Sequence, residues 1–578
     1  MQPVNLRKWK LRAEEPIEEH ITQLSQDLDI QKLTAQVLIL RGITTKVQGF
    51  EFIQANLSAL PDPDLLPDMT IACARLEQAL VQGEKISVHG DYDVDGITGC
   101  TLLVETLRAL GGQVEYHIPL RLKDGYGLSA DAIRHAYENG CSIILSVDCG
   151  VSAHVEADLA AELGLDLIIT DHHQPPDQLP SCFALINPQL SSDYSSWQDL
   201  SGVGVAFFLL VGLRRRLREN GYFSSRAEPD LRQVLDLVAL GTIADIVPLS
   251  GINRILVRSG LQLLEMGKRP GIAALKRVAD VKQVSSGVVG FRLAPRLNAA
   301  GRLEDAALGV KLLLGDDPQD IEPLAEMLDG FNRDRQKIEQ QTLLEAIALV
   351  EEQNQPDRYS IVLSSRDWHS GVIGIVASRL VERYHRPTVL VALADGQGKG
   401  SARSISGFHL YQALKESSGP LAGFGGHAMA AGLSIVEESL DDFIAAFEQA
   451  ARAQLTVEDL LPGLSHDGEV ALYIFTLPLL KELETLNPYG AGNPQPVFVS
   501  RNCRAYSPRI LADKHLKFDL EQNGFRIGCI AFGQAEGFDQ LGGEIDLLYR
   551  PGINLWRGKE SIQLQVVDFR ASDCCNDG

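Results

Sequence analysis

Apolar and polar residues follow two different periods along the chain, and the period changes near residue 85. Residues 1–80 show mostly helical spacing, punctuated by a Pro/Asp stretch at 61–67. After them, short β-rich runs occur at 85–88, 114–118, 142–147, 165–170 and 183–186. Helical patterns lie between these runs, near 101–110, 129–139 and 153–163. Strands that alternate with helices predict an α/β fold with an open sheet of parallel strands.

The rest of the pattern predicts three further regions. Residues 200–350 are largely helical, and apolar residues at helical spacing near the end predict one long helix that joins two domains. A second α/β region begins at Ile361, and the last hundred residues consist of short strands with turns, which is typical of a small antiparallel barrel. The predicted parts are a helical N-terminal extension (1–80), an α/β domain (81–320), an interdomain helix (321–355), a second α/β domain (356–455) and a β-barrel (465–572).

The composition is that of a large globular protein, and 578 residues correspond to about four domains. Hydrophobic residues make up 45% of the chain, which is enough to build several cores. The nine cysteines include no CxxC pair, which favours a reducing cytoplasm over a disulfide scaffold. The N-terminal residues lack the apolar core of a signal peptide, and the longest uncharged apolar run, 201–213, is too short to span a bilayer. We therefore expect a cytoplasmic protein without a membrane segment, in which 201–213 forms a buried helix.

The formal net charge of −23 argues, taken alone, against a protein coated in positive charge for nucleic acid. Positive charge is nevertheless concentrated in the predicted barrel, where residues 501–517 contain five basic residues and one acidic residue, with Tyr506 and Phe518 among or beside them. A second cluster consists of Tyr549, Arg550, Trp556, Arg557 and Lys559. Basic groups interleaved with aromatic rings predict a surface that binds nucleic-acid single strands, and the alternative is a solvated face with the aromatic rings in the core.

Carboxylates and histidines follow several of the predicted strands at the points where those strands end. The sequences at these points are HGDYDVDG, VDCG and TDHH. Because the carboxyl ends of parallel strands lie at the same edge of a sheet, we expect these side chains to converge. The residues concerned are His89, Asp91, Asp93, Asp95, Asp148, Asp171, His172 and His173.

A further carboxylate, Asp245, interrupts the apolar run LGTIADIVP, where a charged group requires a partner, a metal or a helix-capping role. Carboxylate and imidazole ligands suit Mn2+ or Mg2+ better than a metal that prefers thiolates. Clustered anions repel each other unless cations lie between them, and there are enough ligands for two ions. Two metal ions a few ångströms apart are an arrangement that hydrolyses phosphate esters.

Other chemistries fit the sequence less well. A calcium-binding EF-hand requires a glutamate at loop position twelve, where this chain has Leu102, and it follows a helix rather than a strand. Cys149 could act as a nucleophile, although burial in a core is the commoner role of such a cysteine. The sequence contains neither a P-loop motif nor the GxSxG and HExxH motifs.

The motifs together resemble those of the DHH phosphoesterase superfamily. The resemblance rests on HGDYDVDG, VDCG, TDHH and ALGTIADIVPL, and it continues in the basic segment GFRLAPRLNAAGR. WHSGVIGIVA, GSARS and GGHAMAAG resemble the associated DHHA1 domain, so that the similarity covers residues 40–570. The resemblance implies a parallel-sheet DHH domain that faces a DHHA1 domain across a cleft, joined to it by a long helix, with an appended OB-fold barrel.

The resemblance also implies a reaction, namely the Mn2+- or Mg2+-dependent hydrolysis of single-stranded DNA from its 5′ end. It implies that Asp93 and Asp148 hold one metal ion, with Asp91 or His89 assisting. A second ion would be held by Asp95, Asp148, His172 and Asp245, so that Asp148 bridges the two. His173 would lie near the scissile phosphate as an acid or an electrostatic stabiliser.

Selection of a strand end requires groups that grip a terminal phosphate. Small residues allow backbone N–H groups to approach an anion, and a guanidinium binds phosphate in a bidentate manner. For each arginine the alternative is a surface or packing role, and for the histidine it is a place in the core. The candidates are Arg121, Arg296, Arg302, Ser401, Arg403 and His427.

Three other functions remain as alternatives on this resemblance. Relatives that cut very short oligonucleotides or cyclic dinucleotides usually lack the C-terminal barrel, and the pyrophosphatases of the superfamily lack the GSARS and GGHAMAAG pattern. DNA-binding scaffolds related to the superfamily have lost metal ligands that this chain retains. A helicase and a single-strand-binding protein are the partners that the resemblance implies for an exonuclease of recombination and repair.

Overall fold

A computed structural model describes residues 7–120, 125–192, 197, 199–353 and 355–572, with the backbone alone for Leu303. Its strands are β1 (Lys8–Leu11), β2 (Lys85–Gly90), β3 (Gln113–His117), β4 (Cys141–Val147), β5 (Asp166–Thr170), β6 (Ala184–Ile186), β7 (Ile361–Ser365), β8 (Thr388–Ala394), β9 (Gln397–Arg403), β10 (Leu421–Gly426), β11 (Ala430–Val436), β12 (Gly463–His466), β13 (Phe498–Leu511), β14 (His515–Gln522), β15 (Phe525–Ala531), β16 (Glu544–Trp556) and β17 (Lys559–Ala571).

The helices are α1 (Glu18–Leu28), α2 (Lys32–Ile39), α3 (Lys46–Gln54), α4 (Met69–Gln82), α5 (Val94–Ala109), α6 (Ala130–Glu138), α7 (His154–Glu162), α8 (Gly202–Glu219), α9 (Leu235–Ala244), α10 (Gly251–Met266), α11 (Pro270–Val278), α12 (Ala294–Leu303), α13 (Ala307–Leu314), α14 (Pro318–Gln353), α15 (Ile373–Tyr384), α16 (Leu410–Glu416), α17 (Leu440–Gln454) and α18 (Leu477–Glu484). A π-helical turn, Val289–Leu293, precedes α12. None of the helices in the described ranges has the length and apolar character needed to cross a bilayer.

The first sheet has the strand order β3-β2-β4-β5-β6, and every neighbouring pair in it is parallel. Its central strands are almost fully buried, as expected where helices cover both faces of a sheet. Helix α8 contains the apolar run and is buried along most of its first three turns. The predicted parallel α/β fold and the predicted buried helix are both confirmed.

The chain forms two compact units, and α14 runs without a break from one to the other. One unit comprises residues 7–12 and Asn332–His466. It contains a mixed sheet of order β10-β11-β9-β8-β7, in which only β7 and β8 are parallel among the described strands, and a small parallel pair of β1 and β12. The predicted second α/β domain and the long connecting helix are thus confirmed.

The other unit contains the parallel sheet together with a closed barrel of order β13-β14-β15-β17-β16. Four of its strand pairs are antiparallel, but β15 and β17 are parallel. The predicted small barrel is confirmed, and it has one parallel pair because five strands in a ring cannot all be antiparallel to their neighbours. Phe518 and Tyr549 are buried in the barrel, whereas Trp556 is 68% exposed, so only the last of these three rings is available for stacking.

The N-terminal segment does not behave as one helical extension. Residues of α1 and α2, such as Leu24 and Leu38, share a hydrophobic core with α18 and with barrel residues such as Phe498. Helix α4 instead packs into the core of the parallel sheet, and β1 pairs with β12 in the other unit. Short amphipathic helices must bury their apolar faces against another element. Here α1 and α2 pack on α18 and the barrel, whereas α4 packs on the parallel sheet.

Candidate active site

The loop after β2 holds two carboxylates at helix N-termini. Asp93 caps α5, and its Oδ1 accepts hydrogen bonds from the backbone N–H groups of Asp95 (2.9 Å) and Gly96 (3.1 Å). Asp95 accepts from the N–H groups of Gly202 (2.7 Å) and Val203 (2.9 Å), which begin α8. These backbone donors at the starts of two helices hold both carboxylates in fixed positions.

Asp148 follows β4 in a left-handed backbone conformation, with φ = 62°. Such a conformation costs a non-glycine residue about 1–2 kcal/mol and persists where the surroundings impose it. The N–H of Asp148 donates to the carbonyl of Thr170 (3.0 Å), and a methyl group added at Gly202 would lie 2.7 Å from its Cβ. The turn therefore holds Asp148 against the start of α8, directly beside Asp95.

His172 lies at the centre of the carboxylates that the sequence predicted to converge. Its Nε2 is 3.1 Å from Oδ1 of Asp148, 3.6 Å from Oδ2 of Asp245 and 3.9 Å from Oδ2 of Asp95. Asp245 occupies the C-cap position of α9. Three sets of ligand atoms each lie within 4.8 Å of one another: Asp91, Asp93 and Asp148; Asp95, His172 and Asp245; and Asp148, His172 and His173.

Burial leaves these groups short of partners. Desolvation raises the pKa of Asp91 to about 8, with repulsion from Asp93 adding to it. Desolvation and the neighbouring carboxylates likewise raise the pKa values of Asp95, Asp148 and Asp245. Among the described residues, no group hydrogen-bonds to the buried Oδ1 atoms of Asp91 and Asp148, Nε2 of His172 or Oδ2 of Asp245.

Unpartnered carboxylate oxygens around one imidazole nitrogen are a donor set that fits divalent cations. Hard oxygen ligands with one or two imidazoles suit Mn2+ and Mg2+, and a cation between the carboxylates would remove the repulsion that raises their pKa values. Asp148 and His172 each belong to two of the three sets, which is the sharing expected of a site for two neighbouring ions.

His173 has a different environment from His172, because its Nδ1 lies 2.8 Å from Oδ1 of Asp171. Burial alone would lower the pKa of His173, but the hydrogen bond and the charge of Asp171 raise it to about 9. Asp171 also accepts from the N–H groups of His172, His173 and Val151, and the interaction with His173 holds its pKa below the usual value despite burial. The interaction with Asp171 therefore favours the protonated form of His173 and fixes the orientation of its ring.

Two residues of this region have contacts for which the sequence predicted no role. Asp171 is part of the TDHH motif, and its position one residue before two histidines was the signal for an orienting role. Tyr126 donates a hydrogen bond to the carbonyl of Asp148 (2.9 Å), and its ring packs edge-on against His173 with the centroids 5.8 Å apart. Nothing in the local pattern of the sequence distinguishes Tyr126 from other loop tyrosines.

His89 belongs to none of the three ligand sets, although its buried Nδ1 also has no hydrogen-bond partner among the described residues. Its Nε2 is 3.0 Å from Oγ of Ser87, and its ring is 5.4 Å from that of His117 on the neighbouring strand. Burial lowers the pKa of His89 to about 3, so that the ring is neutral. The structure thus places His89 within the sheet and outside the three ligand sets.

Of the other predicted site residues, Arg121 lies outside the described residues.

The basic segment runs along the loop that carries the carboxylates. A methyl group added at Gly301 in α12 would lie 2.5 Å from the carbonyl oxygen of Tyr92, so α12 touches this loop and Arg302 follows the contact directly. Arg296 forms an ion pair with Asp329 at 2.8 Å. Within the same segment, Phe291 on the π-helical turn is 85% exposed.

Three other predicted residues, Ser401, Arg403 and His427, lie in the unit that contains the mixed sheet. Nη1 of Arg403 donates to Oγ of Ser401 (3.2 Å), and a methyl group at Gly374 near the start of α15 would lie within 3 Å of both side chains. Arg403 is paired with Ala430 across β9 and β11, and the carbonyl of Ala430 accepts from the N–H of the exposed His427 (2.8 Å). Ser401 and Arg403 therefore form a second cluster, which belongs to a different unit from the carboxylates, and the backbone of His427 is bonded to the strand beside them.

Comparison with protein families and with solved structures agrees with this architecture. The family models that match are the DHH family, N-terminal domain (residues 85–242), the DHHA1 domain (358–453) and the RecJ OB domain (466–568). RecJ of Thermus thermophilus in complex with Mn2+ has a TM-score of 0.84 and 33% identity, over 97% of this chain and 79% of that one. The same protein in complex with Mg2+ has a TM-score of 0.78.

Curated relatives extend the similarity over nearly the whole chain. The single-stranded-DNA-specific exonuclease RecJ of Dickeya dadantii is 42% identical over 90% of this chain and 93% of its own length. The protein of the same name from Escherichia coli is 40% identical over 85% of this chain and 88% of its own length. The resemblance to the DHH phosphoesterases is confirmed, and the chain belongs to the RecJ family of single-stranded-DNA-specific exonucleases.

Proposed function

We propose that this chain is a Mn2+- or Mg2+-dependent exonuclease that hydrolyses single-stranded DNA in the 5′→3′ direction and releases nucleotides. The observation that carries the proposal is the buried set of unpartnered carboxylate oxygens around His172, in a chain whose relatives are named single-stranded-DNA-specific exonucleases. A role in recombination and repair in the cytoplasm, beside a helicase and a single-strand-binding protein, accords with this activity.

Two ions are the number that the ligand sets favour. Asp91, Asp93 and Asp148 would hold one, and Asp95, Asp148, His172 and Asp245 would hold the other, so that Asp148 contacts both. When bound, the cations would supply Lewis acidity and neutralise charge at the scissile phosphate. Asp93 and Asp95 are already held by backbone N–H groups at helix starts, which orients them before a cation arrives.

The protonated His173 is the residue best placed to act as an acid. Its proton at Nε2 would be donated to the oxygen that leaves the phosphorus, while Nδ1 stays bound to Asp171. Tyr126 packs against the ring of His173 and restricts its tilt, and the carboxylate of Asp171 compensates the positive charge before proton transfer. Asp171 and Tyr126 are therefore positioning residues in this proposal.

The second cluster would grip the terminal phosphate of the strand. A guanidinium beside a serine hydroxyl offers several donors in a fixed geometry, and Arg403 and Ser401 are arranged in this way. We include His427, Arg302, Arg296 and Arg121 as further contacts of the DNA backbone. The barrel would bind the strand that follows, with Trp556 and the adjacent Arg557 at an exposed hairpin tip.

The proposed activity is tested by one incubation of the full chain with Mn2+ and end-labelled substrates. The substrates are single-stranded DNA, blunt duplex DNA, a dinucleotide and pyrophosphate. We expect mononucleotides to appear first from the 5′ end of the single strand, with blunt duplex largely intact. Cleavage of the dinucleotide alone, or release from the 3′ end, would contradict the proposal.

Replacing Arg403 with alanine is expected to weaken the preference for a 5′-phosphorylated end. Hydrogen bonds to a charged group contribute about 1.5–3 kcal/mol, which corresponds to a fall of about 10- to 100-fold in the ratio of rates on 5′-phosphate and 5′-hydroxyl strands. Arg366, a surface arginine of the same unit paired with Glu437, provides the control Arg366→Ala. An unchanged ratio in Arg403→Ala would place the phosphate-binding residues elsewhere.

A further inference from the structure

The segment 485–494, which connects α18 to the first barrel strand, lies against the loop that follows Asp245; we call it the bridging segment. The carbonyl of Ala491 accepts a hydrogen bond from the N–H of Leu249 (2.8 Å). A methyl group added at Gly492 would lie 2.9 Å from Cβ of Pro248, and one at Gly490 would lie 2.6 Å from Cδ1 of Leu249. The two backbones are thus in direct contact, and Gly492, with φ = 68°, is the position at which this approach requires glycine.

Arg254 of α10 holds the start of the bridging segment in place. It is 1% exposed, and its guanidinium donates to the carbonyls of Thr485 (3.3 Å), Leu486 (2.9 Å) and Asn487 (2.8 Å). The same group donates to the carbonyl of Phe52 (2.7 Å) and lies 3.7 Å from the centre of the Phe52 ring. Four carbonyls around one buried guanidinium make a rigid anchor, because moving any of them would leave a charged donor unsatisfied.

Asn493 closes the bridging segment on itself. Its buried side-chain amide donates to the carbonyls of Leu486 (2.9 Å) and Pro488 (2.8 Å), and its backbone exchanges hydrogen bonds with Gly490. On the other side, Ser286 donates from its hydroxyl to the carbonyl of Tyr489, just before the π-helical turn of the basic segment. These hydrogen bonds therefore fix the conformation of the bridging segment.

The loop that follows Asp245 has a strained backbone conformation that contacts from another segment must hold in place. Ile246 has φ = 64°, a conformation that β-branched residues rarely adopt, and its side chain is 75% exposed. Packing of its own side chain does not hold Ile246 in this conformation. The constraint comes instead from α9 before it and from Pro248 and Leu249 after it, which rest on Gly492 and Ala491.

We propose that the bridging segment positions Asp245 at the metal centre, with Gly492 as the positioning residue that contacts Pro248 and Arg254 as the anchor. The inference rests on the proposed role of Asp245 as a metal ligand. In this proposal, the segment that leads into the first barrel strand and the loop that carries Asp245 form one rigid element. A displacement of the bridging segment would therefore lower the affinity for Mn2+ more than the affinity for DNA.

The test is the binding of Mn2+ to the full chain, measured by calorimetry on Gly492→Ala. Both the clash with Pro248 and the left-handed backbone at Gly492 (φ = 68°) are expected to displace the loop. We expect the dissociation constant of one Mn2+ to rise by about tenfold, the lower end of the effect of groups that orient metal ligands. The matched control is Gly524→Ala, which has the same backbone strain (φ = 85°) but open space around the new methyl group.

Gly490→Ala is the milder second variant, because its methyl group meets only the flexible end of Leu249. We expect a rise of about two- to threefold there, with an unfolding midpoint close to that of the parent chain. Folded Gly492→Ala and Gly490→Ala proteins with unchanged Mn2+ affinity would overturn the inference while leaving the proposed function intact. Asp245→Ala separates the two, because unchanged affinity for both Mn2+ ions in this variant would instead contradict the assignment of Asp245 as a ligand.

Discussion

Replacing Asp148 with asparagine is expected to lower kcat on single-stranded DNA by at least about 10⁴-fold, or about 5 kcal/mol of transition-state stabilisation. Asp148 is the carboxylate that belongs to two of the three ligand sets. Its loss would therefore weaken both proposed ions at once. Asparagine keeps the size of the side chain and tolerates the left-handed backbone at this position, so the effect isolates the negative charge.

Single-strand binding should survive in Asp148→Asn, since the strand contacts proposed for the barrel and for Arg403 do not involve Asp148. Fluorescence anisotropy with a labelled oligonucleotide measures it, and we expect a change of less than about threefold in Kd. Asp280→Asn is the matched control, because Asp280 is exposed and has the same left-handed conformation (φ = 48°) in the same unit. Retained turnover in Asp148→Asn would remove this residue from the metal centre.

Replacing His173 with glutamine is expected to lower kcat by about 10²- to 10⁴-fold, the range that a positioned acid contributes. Glutamine can still donate a hydrogen bond to Asp171, but it has no proton to transfer. Because the residue acts on the reacting atoms rather than on the strand, KM should change by less than about threefold. Single-turnover kinetics on a 5′-phosphorylated strand measure the chemical step directly.

The control for this variant is His154→Gln, which changes a partly exposed histidine at the start of α7. Its kcat should equal that of the parent chain. A tenfold or smaller fall in His173→Gln would mean that the leaving oxygen is protonated by another group. In that case the short contact between His173 and Asp171 would serve only to hold the TDHH turn in shape.

The sequence was sufficient to predict the carboxylate cluster because its members follow buried parallel strands. Asp91, Asp148 and His172 are distant in sequence, but the order of a parallel sheet brings their strand ends together. The sequence left open whether His89 or Asp91 assists at the metal centre, and Asp91 is the one that belongs to a ligand set. His89 still belongs to β2 and shares a face with Ser87, whereas Asp91 lies just beyond the last residue of that strand.

Other features depend on contacts that a local pattern does not encode. An amphipathic helix predicts a buried face but not the element that covers it, so the packing of α1 and α2 on the barrel could not be predicted. The sequence of a strand does not show whether its aromatic side chains point into the barrel or towards solvent. Phe518 and Tyr549 point inwards, and Trp556 remains exposed near a basic hairpin tip.

The net charge of −23 was misleading because it averages over the whole surface. Several of the acidic residues belong to the cluster around His172, where cations would offset them. The positive charge that would meet DNA is local, in the basic segment around α12, in the GSARS strand and in the barrel. Net charge therefore describes how the protein repels nucleic acid at a distance and says little about a narrow path for one strand.

The common core of the first helices and the barrel sets a condition on how this protein is synthesised. Gln36 and Asp467, which are joined by a hydrogen bond, are 431 residues apart in the sequence. At roughly 5–20 residues per second, a ribosome needs roughly 20–90 seconds to pass from one to the other. During that interval the residues that cover Leu24 and Leu38 in the folded chain do not yet exist, so this core can be completed only after the last strands have been made.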